Sequence, residues 1–162
     1  MDLTTTDENG MPWDFSKIEQ RNKAMRRWHE ERPLFIIGTP MCTAFSILQQ
    51  WNSPKMDPQA VADKMKDARM HFEFCMNVYR VQTQAGRYFI HEHPQSATSW
   101  KEPSVQRMSK EEGVIKVDVD MCALGLKTED KGKVGYAKKA TTIMTNSPYV
   151  LSLIHISEPT RP

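Results

Sequence analysis

The 162-residue sequence predicts an α/β fold with a Rossmann-like, mostly parallel sheet and flanking helices. The apolar run 34–37 is continuous, as in a buried parallel strand, and Gly38 follows it directly. Residues 57–86 have the apolar spacing of a long helix. Segments with strand patterns alternate with segments with helical patterns along the chain, and this order favours parallel strands joined by helical crossovers.

The amino-terminal part predicts a strand end followed by a helix. We interpret Asp2-Leu3 as the end of a preceding strand. Ser16 and Glu19 have the spacing of a capping box, which predicts a helix over residues 16–31. Pro33 stops that helix, because proline cannot continue it.

Two helices are expected after the strand at 34–37. The first is short and covers residues 45–51. Asp57 caps the second, which has Pro58 in its first turn and ends at Gly86. Its apolar positions recur by threes and fours and should form the buried stripe, with Cys75 as a core residue: Val61, Met65, Ala68, Phe72, Cys75 and Tyr79.

The carboxyl-terminal part predicts three strands and one short helix. The strand 88–92 ends before Pro94, because proline cannot feed a central ladder. A helix is expected over 103–112. Residues 115–119 alternate between apolar and charged side chains, as in a half-buried strand, and 141–145 form another strand.

Composition indicates an intracellular globular protein. The formal net charge of +2 does not indicate a dedicated nucleic-acid-binding domain. The cysteines at 42, 75 and 122 lack paired spacing, which argues for reduced thiols rather than disulfides or a zinc ribbon. No apolar segment reaches the roughly 20 residues of a membrane span, and the polar start is not a signal peptide. We expect no membrane partner and a cytoplasmic or nuclear location.

A lysine-rich segment lies between residues 127 and 139. It can be a solvated loop, the more common situation, or its local charge can meet phosphates. Both interpretations stay open for these side chains: Lys127, Lys131, Lys133, Lys138 and Lys139.

Two side chains suit covalent catalysis. Cys42 lies on the loop after the first strand, and Glu92 lies at the end of the strand 88–92. Because the carboxyl ends of parallel strands meet at one sheet edge, these two groups should face the same crevice. A thiolate beside a carboxyl group that can be kept protonated suits attack on an electron-poor ring.

These segments resemble the DNA (cytosine-5)-methyltransferases. The family's nucleophile loop reads Gly-(Gly/Ser)-Pro-Pro-Cys-Gln-Gly-Phe-Ser, and segment 88–94 is similar to its Tyr-Phe-Leu-Leu-Glu-Asn-Val strand. Asp2-Leu3 resembles the acidic strand end that touches the cofactor's adenine. The loop matches at Gly38, Pro40, Cys42, Phe45 and Ser46.

The resemblance implies part of an S-adenosylmethionine-dependent methyltransferase fold. Cys42 is then the nucleophile that attacks carbon 6 of a cytosine in duplex DNA, and Glu92 is the acid at ring nitrogen 3. S-adenosylmethionine supplies the methyl group, and the target base must leave the stack. The remaining implied sites are Asp2, Gly38 and Pro40 at the cofactor, and Ser46, His93 and Lys139 at the substrate.

Departures from the family pattern leave two alternatives open. Met41 and Thr43 replace the proline and glutamine around the nucleophile, and both arginines of the family's Gln-x-Arg-x-Arg element are missing near 138–142. These departures favour a non-catalytic methyltransferase-like module of a phage or mobile-element protein. The third interpretation is a metal site made by His91, His93 and Cys42.

The final segment, 151–162, resembles an in-frame translation of a sequencing-library adapter. We therefore expect residues 1–150 to form a methyltransferase-like core that is truncated at both ends and has little activity alone. Residues 151–162 should be an artefact outside that core.

Overall fold

A computed structural model describes residues 5–157, apart from some side chains within 47–53 and 155–157. Asp2, an expected cofactor residue, lies outside the described residues. The helices and strands in chain order are α1 (Ile18–Glu31), β1 (Phe35–Gly38), α2 (Ile47–Asn52), α3 (Pro58–Gln84), β2 (Tyr88–Pro94), α4 (Pro103–Met108), β3 (Ile115–Asp120), β4 (Lys127–Asp130), β5 (Lys133–Tyr136), β6 (Ala140–Thr145) and α5 (Pro148–Ser157).

The main sheet is mixed rather than mostly parallel. Its four strands have the order β1-β2-β6-β3, and β4 and β5 form a separate two-stranded ribbon. Strands β1 and β2 are parallel, whereas β6 is antiparallel to both of its neighbours. The class α/β is therefore confirmed, but the expected predominance of parallel pairing is wrong. The reason is that a hairpin, not a helix, connects β3 to β6, so the chain returns antiparallel.

Each face of the sheet packs against a helix. Helix α3 covers one face through Phe72, Met76 and Tyr79, which are 1% exposed each. They join Phe89, Met108 and Met144 in the larger core. On the other face, Ile154 of α5 packs with Val119, Ile143 and their half-buried neighbours. The apolar stripe predicted for α3 is thus confirmed.

Helix α5 crosses the boundary expected at residue 150. Residues 151–157 belong to this helix, and Ile154 is 3% exposed in the smaller core. The structure therefore includes part of the adapter-like segment in the fold, because its apolar side chains can cover the open face of the sheet. Residues 158–162 lie outside the described residues.

Only some of the helix ends predicted from the sequence agree with the structure. Asp57 caps α3 by accepting hydrogen bonds from the backbone of Gln59 and Ala60, as predicted. Gly86 follows with a φ of 69°, a left-handed conformation that favours glycine. The capping box of α1 is wrong, because Lys17 is the cap residue and the Ser16 hydroxyl donates to Asp14 instead.

The buried side chain of Gln82 joins three elements at the amino-terminal end of the β1–β2 pair. Its Oε1 accepts a hydrogen bond of 2.7 Å from the indole of Trp28 on α1. Its Nε2 lies 2.8 Å, 3.2 Å and 3.1 Å from the carbonyl oxygens of Pro33, Leu34 and Tyr88, respectively. One amide therefore satisfies polar groups that would otherwise be buried without partners.

No helix among residues 5–157 has the length and apolar character needed to cross a membrane.

We expect Gln82→Leu to lower the free energy of unfolding by about 3 kcal/mol, because it leaves several buried polar groups unpaired. Urea denaturation monitored by tryptophan fluorescence measures the change. The matched control is Gln84→Leu, on the exposed surface of the same helix. Equal stability of the two variants would show that the Gln82 network contributes nothing.

Candidate functional site

The two candidate catalytic residues lie at the same edge of the sheet. Gly38, the last residue of β1, is paired in register with His91 of β2. Cys42 follows Gly38 by four residues, and Glu92 follows His91 directly. Because β1 and β2 are parallel, the loop with Cys42 and the end of β2 with Glu92 emerge on the same side.

The loop that carries Cys42 is anchored by its neighbours. Phe45 is 1% exposed in the larger core, and its carbonyl accepts a hydrogen bond of 3.1 Å from the Thr98 hydroxyl. The Phe45 amide donates to the carbonyl of Cys42 at 3.0 Å, which closes a short 3-10 turn. Cys42 itself is a half-buried free thiol. The loop thus holds the cysteine at the surface of the core rather than inside it.

Glu92 points away from the two neighbouring histidines. His91 and His93 are buried on the α3 face, and side chains alternate along a strand, so Glu92 lies on the α5 face. Its Oε1 accepts a hydrogen bond of 3.1 Å from Lys139 Nζ, and the two side chains are 20% and 50% exposed, respectively. The structure therefore brings Lys139, a predicted substrate residue, to the predicted acid.

Gly38 serves close packing rather than a sharp turn. A Cβ atom at this position would lie 1.7 Å from the hydroxyl oxygen of Tyr79. Gly38 is not among the residues with positive φ, so its backbone conformation does not require a glycine. The Tyr79 hydroxyl forms a hydrogen bond of 3.2 Å with His91 Nδ1. The missing side chain lets α3 approach the end of β1 closely.

His91 and His93 form a stacked pair inside the larger core. Their ring centroids are 5.8 Å apart with an interplanar angle of 10°. Phe72 and Trp100 each contact both rings edge-on. His93 Nδ1 lies 2.8 Å from the Ser99 hydroxyl. Polar and aromatic side chains of the protein thus surround both imidazoles.

Burial keeps these imidazoles neutral. Desolvation, and to a lesser extent the neighbouring His93, lower the pKa of His91 from 6.5 to about 3. Desolvation also lowers the pKa of His93 to about 4, although Glu92 and the Pro40 carbonyl act in the opposite direction. Protonating either ring would place a positive charge in the core, away from water and without an ionic partner that offsets the lost hydration.

The geometry does not support the metal interpretation. Among residues 5–157 no group of three His, Cys, Asp or Glu side chains is arranged to hold a metal ion. The Nδ1 atoms of the two imidazoles face hydroxyl groups of Tyr79 and Ser99 instead.

Two predicted substrate residues have structural roles. His93 is 1% exposed, so it cannot meet a substrate without opening the core. The Ser46 hydroxyl accepts a hydrogen bond of 3.1 Å from the Gln49 amide and donates to the Thr43 carbonyl. It therefore stabilises the start of α2. The burial of His93 argues against its expected substrate contact, whereas the hydrogen bonds of Ser46 do not test that prediction.

A cavity of about 730 Å³ lies between α1, β1 and α3. Gly38 and Pro40, both predicted at the cofactor, contribute to its wall, and so do Met41 and Thr43 but not Cys42. The remaining lining includes six Trp, Phe and Tyr rings, the carboxylates of Asp14, Glu31 and Asp67, and the cations Arg27 and Lys64. Rings of this kind can stack on a flat heterocycle, and the carboxylates can attract a positive charge.

Comparison of the chain with protein-family models, curated proteins and solved structures finds no match.

Sequence reasoning missed the partners that hold this edge together. Tyr79 was predicted only as an apolar stripe residue, yet its hydroxyl reaches both Gly38 and His91. Trp100 packs edge-on against both imidazoles. The available signal for Tyr79 was its position on the α3 stripe, and for Ser99 there was none.

We expect Gly38→Ala to destabilise the protein strongly, because the new methyl group clashes with Tyr79. Combining it with Tyr79→Phe should restore part of the loss, since this removes the nearest atom, although the ring carbon at 2.8 Å remains. Thermal denaturation of both single variants and the double variant measures the coupling, which should be about 1 kcal/mol or more. Strictly additive effects would contradict the close approach.

We expect stability to fall as the pH drops below 6.5, because the unfolded chain then protonates His91 and His93 while the folded chain does not. The loss should continue to about pH 3 to 4, at up to about 1.4 kcal/mol per pH unit for each ring. Above pH 7 these rings should contribute no slope.

Urea denaturation between pH 4 and 8 tests this expectation. The double variant His91→Asn/His93→Asn should show a shallower slope, and the exposed control His29→Asn should keep the original one. Identical slopes in all three proteins would rule out the two buried imidazoles as the cause.

Proposed function

We propose that this chain carries the catalytic edge of a DNA cytosine-5 methyltransferase-like enzyme. The observation that carries the proposal is the placement of Cys42 and Glu92 at the ends of the neighbouring parallel strands β1 and β2. The Cys42 thiol is half-buried on an anchored loop, and Glu92 is partly accessible beside Lys139. For the two groups to act on one pyrimidine ring, the base must lie across the carboxyl ends of both strands, between the Cys42 loop and the face that carries Glu92.

The proposed chemistry begins with Cys42. Its thiolate sulfur forms a bond to carbon 6 of the cytosine, and the electron pair of the 5,6 double bond moves toward nitrogen 3. Glu92 donates a proton or a hydrogen bond at nitrogen 3, so carbon 5 becomes nucleophilic. Release then requires a base, such as a water molecule, to take the proton on carbon 5; the 5,6 double bond re-forms, the sulfur leaves carbon 6 as a thiolate, and nitrogen 3 returns its proton to Glu92.

Lys139 is a positioning residue in this proposal. Its ammonium group donates to Oε1 of Glu92, so in the proposed step the other oxygen, Oε2, must carry the proton that is donated to the base. The same contact fixes the direction of the Glu92 side chain on the α5 face. We therefore assign Lys139 to the orientation of the acid rather than to direct recognition of the substrate.

S-adenosylmethionine is the proposed cofactor, and its chemistry is the supply of a methyl group from a sulfonium. The residues that would hold it are those of the cavity beside β1. Gly38 and Pro40 border the cavity, the aromatic wall suits the adenine, and Asp14 and Asp67 suit the positive charge. The proposed substrate is a cytosine in duplex DNA that leaves the stack before Cys42 attacks it.

We expect the protein to form a covalent adduct with DNA that contains 5-fluorocytosine when S-adenosylmethionine is present. Fluorine at carbon 5 prevents the proton loss that releases Cys42, so even a slow reaction accumulates the adduct. Denaturing electrophoresis and mass spectrometry detect it. Cys42→Ser, which keeps the size of the side chain, should form none.

A second readout does not need the cofactor. Attack by Cys42 makes carbon 5 nucleophilic, so its hydrogen should exchange with deuterium from heavy water. We expect Glu92→Gln to slow this exchange by about 100-fold. Absence of both adduct and exchange in the unchanged protein would overturn the catalytic proposal and favour the non-catalytic module, which the replacements at Met41 and Thr43 also favour.

A further inference from the structure

The β4–β5 hairpin forms an exposed ribbon that does not belong to the core. All residues of both strands are exposed. Its two-residue turn is Lys131-Gly132, with φ angles of 49° and 77°. Positive φ at both turn positions is the conformation that matches the natural twist of a tight hairpin. The lysine-rich segment is thus a defined ribbon, not the loop expected from the sequence.

The ribbon projects from the edge of the sheet that carries the candidate site. It begins after the carboxyl end of β3, which runs in the same direction as β1 and β2. Its base is closed by backbone hydrogen bonds from Ala137 to Leu126 and from Met121 to Lys139, both 3.0 Å long. The last of these residues also contacts Glu92. The ribbon is therefore attached directly beside the proposed acid.

The ribbon and its base carry an excess of positive charge. Segment 127–139 contains five lysines against the two carboxylates Glu129 and Asp130. Lys138 and Lys139 form ion pairs with Asp120 and Glu92 at the base. Among the described residues, the three lysines of the ribbon itself enter no ion pair: Lys127, Lys131 and Lys133. These ammonium groups are free to meet an anionic partner.

One face of the ribbon also offers an aromatic surface. Tyr136 is 69% exposed and Val134 is 66% exposed. They lie on the same face, because they are two residues apart in β5. The Lys127 ammonium lies 5.4 Å from the centre of the Tyr136 ring, opposite it in the ladder. An exposed ring with a cation beside it is suited to a nucleic-acid base and its phosphate.

We propose that this ribbon binds the sugar–phosphate backbone of a nucleic acid and that Tyr136 stacks on an unpaired base. The choice of a nucleic acid, rather than another polyanion, rests on the proposed function. The ribbon would be the surface that holds the nucleic-acid strand next to the candidate site. Lys127, on the same face as Tyr136, and Lys131, in the turn, contact phosphates of the bound strand, and Lys133 adds positive charge on the opposite face. A strand held on the ribbon reaches the sheet edge at Lys139 and Glu92.

Fluorescence anisotropy with a labelled oligonucleotide, as a single strand and as a fully paired duplex, tests the proposal. We expect Lys131→Ala/Lys133→Ala to weaken binding of both by about 10-fold at low salt. The slope of log affinity against log salt for the single strand should fall by about 1.4. Tyr136→Ala should weaken single-strand binding by about 10-fold and duplex binding less. Because these side chains lie outside the core, the variants should fold normally.

The matched control removes two exposed positive charges at the carboxyl end of α4, outside the ribbon, Arg107→Ala/Lys110→Ala, and should bind like the unchanged protein. Equal weakening by this control and the ribbon variants would overturn the proposal, and so would the absence of binding at low salt. Preference for anionic vesicles over oligonucleotides would overturn it as well.

The Cys42→Ser variant distinguishes a failure of the ribbon proposal from a failure of the catalytic proposal. Its binding should be unchanged, because the ribbon and not the thiol holds the strand. If the unchanged protein forms no adduct but binds oligonucleotides through the ribbon, the catalytic proposal fails and the ribbon inference stands. If Cys42→Ser reduces binding as much as the ribbon variants, the ribbon is not the binding surface.

Discussion

One buried amide, that of Gln82, joins the parallel strands β1 and β2 to both neighbouring helices. Its Nε2 donates to the carbonyl groups of Pro33, Leu34 and Tyr88, and its Oε1 accepts from Trp28 of α1. The Leu34 carbonyl also accepts a hydrogen bond from the Tyr88 amide, so Gln82 adds to the strand pairing rather than replacing it. The helices α1 and α3 therefore meet both strands at this end of the pair, and Cys42 and Glu92 lie at the other end.

At the other end of the same strand pair, close packing of side chains, rather than a hydrogen-bond network, fixes the position of α3 against the sheet. Tyr79 reaches His91 only because Gly38 lacks a side chain, and the stacked imidazoles fill the space between α3 and the sheet. This packing has a functional consequence for the candidate site. The α3 face is occupied by protein groups, so the accessible chemistry of β2 lies on the opposite face, where Glu92 meets Lys139.

The site and the ribbon together give this edge two complementary properties. In the proposed function, the Cys42 loop and Glu92 provide a nucleophile and an acid, whereas the β4–β5 ribbon provides cations and an exposed aromatic ring. They are connected through Lys139, which ends the ribbon segment and contacts the acid. An edge with this composition suits a substrate that combines an electron-poor ring with a polyanionic backbone.

The sequence by itself determined the long helix with its Asp57 cap, the apolar stripe of α3, the strands at 88–92 and 115–119, and the loop that presents Cys42. Each of these depends on local periodicity or a local hydrogen bond, which neighbouring residues encode. Only the tertiary structure decided the insertion of β6 between β2 and β3, the burial of His93 and the approach of Tyr79 to Gly38. These depend on contacts between residues far apart in the chain, where free energies of packing and desolvation outweigh local preference.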